Sequence, residues 1–363
     1  MVTIGRVNFE RKLNSINSVL STTAKKYPLL GLIQDGTIKI WQDGDMPIWN
    51  EEPIDTEENF SFSVLVPKLR EIVGGFKGQS VDLISDGRGA ITVKSGRSRV
   101  SIPYVEGIYD EIPNPPTLEM KCTTNSDFLK FLATSSDFIA KTYEQASLTY
   151  SYIGCVDGNF FISGMNGFSS FTALVPFEGD TLPNVVVPSE FAIAASKLIS
   201  GDDIEVGLSS NQNHIVICDG DTIIYTPRVQ QTYPERVYDL VNANGDMLFS
   251  VNRKLFLDHL KLALQTTDRD LIGIEPDLDP PGGIRLVVPR AVIDADLMVE
   301  DAKIHKGFDR IHFQLPFLIQ SIGSFDSERI NIEVLPEFND EIRISSDDST
   351  AVTTVRPFYF SES

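Results

Sequence analysis

The chain has 363 residues, 42% of them hydrophobic and 23% charged, with a formal net charge of −20. That balance excludes a disordered chain, and the length asks for two or three domains of roughly 100–200 residues each. No apolar run reaches the roughly 18 residues of a membrane helix, and the acidity taken alone argues against a nucleic-acid partner.

The first residues, MVTIGRVNFERK, lack the apolar core of a secretory signal, so the chain is expected to begin at Met1 and to stay in the cytoplasm. Cys122, Cys155 and Cys218 are scattered without CxxC spacing, which points to core thiols in a reducing compartment rather than to disulfides or a zinc site.

In chain order, helices are predicted over 8–26, 66–77, 125–141, 188–200, 252–265 and 314–325. The first, third and fifth start on Asn8, Asn125 and Asn252, whose side chains suit an N-cap. The others open on Pro67, Pro188 and Pro316, because the N–H that proline lacks has no partner in a first turn. The Asn starts lie 117 and 127 residues apart and the Pro starts 121 and 128. Alternating strands follow the prolines from Val81, Ile204 and Ile330, and polar turns at Ser95-Gly96, Asp219-Gly220 and Asp347-Asp348 read as hairpins. One unit of strands, helix, strands, helix and strands is therefore written three times.

The helices are amphipathic: Phe9, Leu13, Ile16 and Leu20 share one face, while Arg11, Lys12, Ser15 and Ser18 share the other. Charge is segregated as well. The six predicted helices sum to +7, so the remainder carries −27. Basic helix faces on an acidic body attract phosphates weakly and without regard to base sequence, with an affinity that falls steeply with salt.

Four segments then resemble one family. VKSGRSRVSI (93–102) follows the VPKLREI helix; VVVPSEF (185–191) goes with TPRVQQTYPERV (226–237); VNRKLFLDHLKLAL (251–264) opens the last third; and TVRPFYF (354–360) closes it. In this order and spacing they resemble the bacterial replicative sliding clamp, the β subunit of DNA polymerase III, over nearly the whole chain. The resemblance implies an α+β fold of three repeated clamp-type domains, 1–117, 118–244 and 245–363, each with antiparallel sheets outside and two helices inside. Two chains would join head to tail into a ring that encircles duplex DNA and tethers a replicative polymerase and a clamp loader, each through a linear peptide. Twelve helices spaced by about 10 Å leave a hole of roughly 28 Å, whereas six leave about 9 Å, so a homodimer is needed.

Carried over position by position, the resemblance assigns DNA-facing roles to Arg11, Lys12, Lys25, Lys26, Lys68, Arg70, Lys130, Lys141, Gln145, Lys197, Arg253, Lys254 and Lys261. It assigns a partner-peptide pocket to Met165, Gly167, Phe168, Ser169, Phe171, Val241, Phe317, Val355, Arg356, Pro357 and Phe358. The dimer interface falls to Val100 and Ile102 on an edge strand and to Leu264, Gln265 and Thr266 at a helix end. Phe168-Ser169 replaces a His-Arg pair of the family, and Phe360 followed by three more residues replaces a terminal Leu. These departures suit a divergent, phage-encoded member with its own partner preference.

No enzyme chemistry emerges. DGDT (219–222) and EPDLDPP (275–281) lack EF-hand spacing and read as turns. The four His have no HExxH spacing, and VGGFKG and PPGG lack the GK[ST] of a phosphate loop, so no metal and no cofactor is expected. The competing readings are a β-rich viral assembly protein whose repeats serve only packing, and a hydrolase using paired carboxylates.

Overall fold

The computed structural model describes residues 1–21, 24–44, 46–105, 112–141, 148–229, 231–233, 236–267, 270–278, 281–288 and 295–358. The fold is mixed α+β. Its helices are α1 (Arg6–Val19), α2 (Val66–Gly75), α3 (Asp127–Asp137), α4 (Ser189–Leu198), α5 (Arg236–Asn242), α6 (Arg253–Thr266) and α7 (Leu315–Gly323). Six overlap the helices expected from the sequence, though α1 ends at Val19 rather than 26 and α3 at Asp137 rather than 141; α5 falls between the expected helices. Strands Ser80–Ser85, Ile204–Ser209 and Arg329–Leu335 follow α2, α4 and α7, so the threefold repetition is present in structure.

The starts of the first helices differ from expectation in register. α1 begins at Arg6, not Asn8, and Gly5 caps it without a side-chain bond. The anchor is instead Arg6, whose backbone N–H donates to the Gln79 carbonyl at 2.9 Å and whose Nε donates to the Gly78 carbonyl at 2.7 Å. Arg253 repeats the device: its N–H donates to the Glu328 carbonyl and its Nε to the Ser327 carbonyl, both at 2.9 Å. Phe9, Phe128 and Phe256 are buried three residues after Arg6, Asn125 and Arg253, which are thus the equivalent positions. Asn125 and Asn252 do act as caps, accepting from Asp127 N and Leu255 N at 3.0 Å. Pro67 and Pro316 stand in first turns, while Pro188 is the N-cap of α4.

The chain divides into two compact units, 1–130 with 176–229, and 131–175 with 230–363. In the first, strands Val2–Gly5, Ser80–Ser85, Ile91–Ser95 and Ser98–Ile102 form an antiparallel sheet in that order. A second antiparallel run joins Phe60–Val64, Leu29–Gln34, Thr37–Gln42, Ile48–Pro53, Thr222–Pro227, His214–Cys218, Ile204–Ser209 and Leu118–Thr124. Its central pairing, Ile48↔Ile224 to Asn50↔Thr222, brings together segments far apart in sequence. Trp41 and Trp49 face each other across strands and pack with Leu30, Ile112 and Ile223. α1 packs against α2 and α4.

In the second unit, the first residues of the strand Ser169–Gly179 pair with Ala351–Val355, followed by Glu341–Ser345, Arg329–Leu335, Asp246–Asn252 and Ala302–Ile304. A separate sheet runs Ala295–Val299, Pro281–Val288, Leu271–Leu278, Ile311–Gln314. Gly164 is required here: a Cβ on it would stand 2.0 Å from the carbonyl oxygen of Ser135 in α3. That contact sets how closely helix and strand approach.

Candidate functional site

In the first unit the basic residues sit on helix faces turned from the core. α1 buries Phe9, Leu13 and Ile16 and leaves Arg11 exposed; α4 buries Phe191, Ala192, Ala194 and Ala195 and leaves Lys197 exposed. Both line a groove of about 220 Å³ between α1 and α4, with Asp219 and Asp221 on its other side. Lys12 is engaged within the chain. Its Nζ lies 2.8 Å from Glu52 Oε2 and 3.3 Å from Asn50 Oδ1, and Asn50 in turn donates to Thr222 Oγ1 and the Asp221 carbonyl at 3.0 Å. Lys12 therefore ties α1 to the strand Ile48–Pro53, because a half-buried ammonium needs a carboxylate.

Lys68 is exposed and pairs with Glu71 at 3.3 Å. Arg70 is half-buried, with its Nε lacking a hydrogen bond. Lys25 and Lys26 fall in a single 3₁₀ turn, and Lys130 is exposed on α3.

In the second unit, α6 buries Phe256, Leu260 and Ala263 and exposes Lys254 and Lys261 on the opposite face. The Arg253 Nε donates to the Ser327 carbonyl at 2.9 Å. Lys141 is exposed after α3, and Gln145 lies outside the described residues.

The residues expected to form a partner pocket begin at a turn that Asn166 organises. Its Oδ1 accepts from Phe168 N at 3.0 Å and Ser169 N at 2.9 Å, and Gly167 takes a φ of +90°. Phe168 is thrust outward, 49% exposed, and stacks on Phe317 with ring centroids 5.1 Å apart and planes within 7°. Pro316 in the first turn of α7 places Phe317 at the helix start. The Arg356 N–H donates to the Phe168 carbonyl at 2.9 Å, and the Phe358 N–H to the His312 carbonyl at 2.7 Å, so the tail is held along the same edge. Arg356 and Phe358 are exposed, Pro357 and Val355 buried.

Met165 and Ser169 flank the turn, Ser169 buried. Phe171, expected at the rim, is fully buried against Phe131 and Phe138 at 5.9 and 5.6 Å, where it supports the turn from below. Val241 belongs to α5; its carbonyl and those of Leu240 and Ala243 accept from Arg343, whose Nε also binds Glu333 at 2.7 Å. Sequence reasoning missed Arg343, since a lone Arg in a strand carries no positional signal.

It also missed a groove of about 580 Å³ lined by Leu248, Arg310, His312, Asp340, Pro357 and Phe358 among others. Arg310 Nε lies 2.6 Å from Glu275 Oε2, and Arg285 holds the other oxygen. Burial acts to raise the Glu275 carboxyl, but these two arginines hold it below its usual value. His312 is pushed below the ordinary imidazole range by burial and by Arg310. The FDRIHF stretch signalled only alternation.

The expected interface residues are also placed. In the edge strand Ser98–Ile102 only Ile102 is buried, and Val100 is 41% exposed. Leu264 and Gln265 are exposed at the end of α6, together with Leu262, while the Thr266 hydroxyl donates to the Ala263 carbonyl at 3.0 Å. No group of three His, Cys, Asp or Glu among the described residues could hold a metal ion. Burial first, then Glu205, pushes the Cys218 thiol up to about 12, so it stays protonated and unreactive at neutral pH. No helix among the described residues is long and apolar enough to cross a membrane.

Paired helices on antiparallel sheets, three times over, define a bacterial-type sliding-clamp fold. The solved structures it resembles include a DNA polymerase sliding clamp from Pseudomonas aeruginosa, with a TM-score of 0.82 at 16% identity over 99% of each chain. The DNA polymerase III β subunit from Thermotoga maritima gives 0.82 at 15% identity, and the β subunit from Streptococcus pyogenes 0.83 at 15%, both over 99% of each chain. One P. aeruginosa clamp was solved bound to griselimycin. No family model and no curated protein matches the sequence.

Proposed function

We propose that the chain is a non-enzymatic processivity factor for a DNA polymerase, with three clamp domains at 1–117, 118–244 and 245–363. Two chains join head to tail, the edge strand Ser98–Ile102 of one meeting the α6 end of the other. The ring encloses duplex DNA and slides, because Arg11, Lys197, Lys254 and Lys261 offer a few phosphate contacts that ignore base sequence. A polymerase and a loader dock by linear peptides at the Phe168–Phe317 stack and the tail. This keeps the protein in the cytoplasm with the DNA it serves.

The observation that carries this reading is a likeness to clamps along the whole length of both chains, joined to exposed cations recurring on equivalent helix faces. A structural role for the repeats would give no reason for basic helices on so acidic a chain. The test is sedimentation followed by primer extension. Two copies of the 40.3 kDa chain are expected, and Arg11→Glu with Lys254→Glu and Lys261→Glu should lower processive synthesis on primed circular DNA. A monomer at micromolar concentration, or synthesis indifferent to those reversals, would refute the reading.

A further inference from the structure

The 580 Å³ groove of the second unit is reached along the tail from the Phe168–Phe317 stack, because Pro357 and Phe358 form part of its lining. Its volume suits about three residues of extended peptide. Leu248, Phe308, Ile311, Val334, Pro357 and Phe358 make the apolar part of its lining.

Its charge is one-sided. Asp309 and Asp340 line it, both exposed, and neither has an ion-pair partner among the described residues. Arg310 is the one cation in the lining, and its Nε is held 2.6 Å from Glu275 Oε2. His312 is kept neutral at pH 7 by burial and by Arg310. An unopposed pair of carboxylates beside an apolar lining repels phosphates and acidic peptides. It also disfavours a second copy of this chain, whose net charge is −20.

We propose that this groove takes a short extended peptide of a partner protein in which a bulky apolar side chain is followed within one or two positions by lysine or arginine. The apolar residue packs on the apolar lining, and the cation lies between Asp309 and Asp340. This rests on the reading of the tail edge as the partner-docking site and names the partner chemistry that this edge selects.

The test uses the full chain and two rhodamine-labelled peptides that share a Leu-Phe anchor, one continued by two lysines and the other by two serines. Fluorescence anisotropy should show the lysine peptide about fivefold tighter at low salt, with the advantage gone at about 0.5 M salt. Asp309→Asn with Asp340→Asn should bring the lysine peptide down to the serine peptide, whose own affinity stays at the wild-type level and so certifies the fold. Equal affinities in the wild-type protein overturn the charge selection while leaving the docking reading in place. Binding of neither peptide removes both. If, in addition, Asp340→Lys lowers the sedimenting mass, the groove belongs to a second copy of this chain and the proposal fails.

Discussion

Two ladders join distant parts of the sequence, and they are built from opposite materials. In the first unit, Ile48 pairs with Ile224 and Trp49 with Ile223, the latter two packing with Trp41 and Leu30, so the seam is apolar with one polar bridge at Asn50. In the second, Ser169, Ser170, Thr353, Thr354 and Val355 meet, and the buried Ser170 and Thr354 hydroxyls lie 2.8 Å apart, with Thr354 donating to Glu341 at 2.9 Å. The ends differ as well. The first seam opens on a groove of about 380 Å³ lined by Met46, Pro188 and Thr226, whereas the second ends beneath the Phe168–Phe317 stack. An apolar seam tolerates changes of shape; a buried polar one loses more when a hydrogen-bonded hydroxyl is removed. Precision therefore resides at the end proposed to receive partners.

The comparison can be broken most forcefully at Trp49. Trp49→Ala should destabilise the first seam by about 3–5 kcal/mol, read as a fall in the denaturation midpoint. Thr354→Val removes the hydroxyl that Ser170 and Glu341 share in the buried seam and should cost about 1–3 kcal/mol. Ile224→Val in the apolar seam should cost only about 0.5–1.5 kcal/mol. Equal losses for these two would erase the distinction between the seams. Gly164→Ala must move the Ser135 carbonyl or the strand and should cost about 1–3 kcal/mol, with reduced hydrogen-exchange protection in α3.

Smaller effects refine the picture. Phe317→Ala removes half of the exposed stack and should weaken peptide binding about tenfold, from the roughly 1.4 kcal/mol that a ring pair and its burial supply. For His312 the folded value lies below 6.5. As pH falls through 6.5 the unfolded chain takes up a proton that the folded chain does not. Stability is therefore full above that range and declines below it until the folded imidazole also protonates. His312→Gln should flatten the melting temperature between pH 7 and pH 5.

The repeat and its helices were legible because apolar spacing and proline placement are local signals: Phe9, Leu13 and Ile16 announce the face that α1 buries. Register was misread at the first helix. Asn8 looked like a cap, but a guanidinium anchoring to carbonyls some 70 residues away leaves no local trace. The same mechanism hid the structural use of Arg253. The tie from Lys12 to Glu52, 40 residues on, likewise leaves no local trace. Phe168, Phe317 and the tail lie side by side because the Asn166 turn, the first turn of α7 and the Arg356 N–H bond fix them. Phe171 is inward because its strand is buried on both faces from Ser169 to Ala173, with Phe131 and Phe138 against its ring. The Asp309 and Asp340 groove depends on three separate strands and a turn, which no window of sequence contains.

The edge strand Ser98–Ile102 has a consequence for the protein in solution before any assembly forms. Its backbone offers an unsatisfied ladder, yet Arg97 and Arg99 border and occupy it on an otherwise anionic molecule. Those guanidiniums act as gatekeepers against fibril-like stacking of identical edges, since each copy presents the same positive sign to the next. An edge of this kind stays single until a shaped surface covers it, which makes colloidal stability and partner choice two outcomes of one strand.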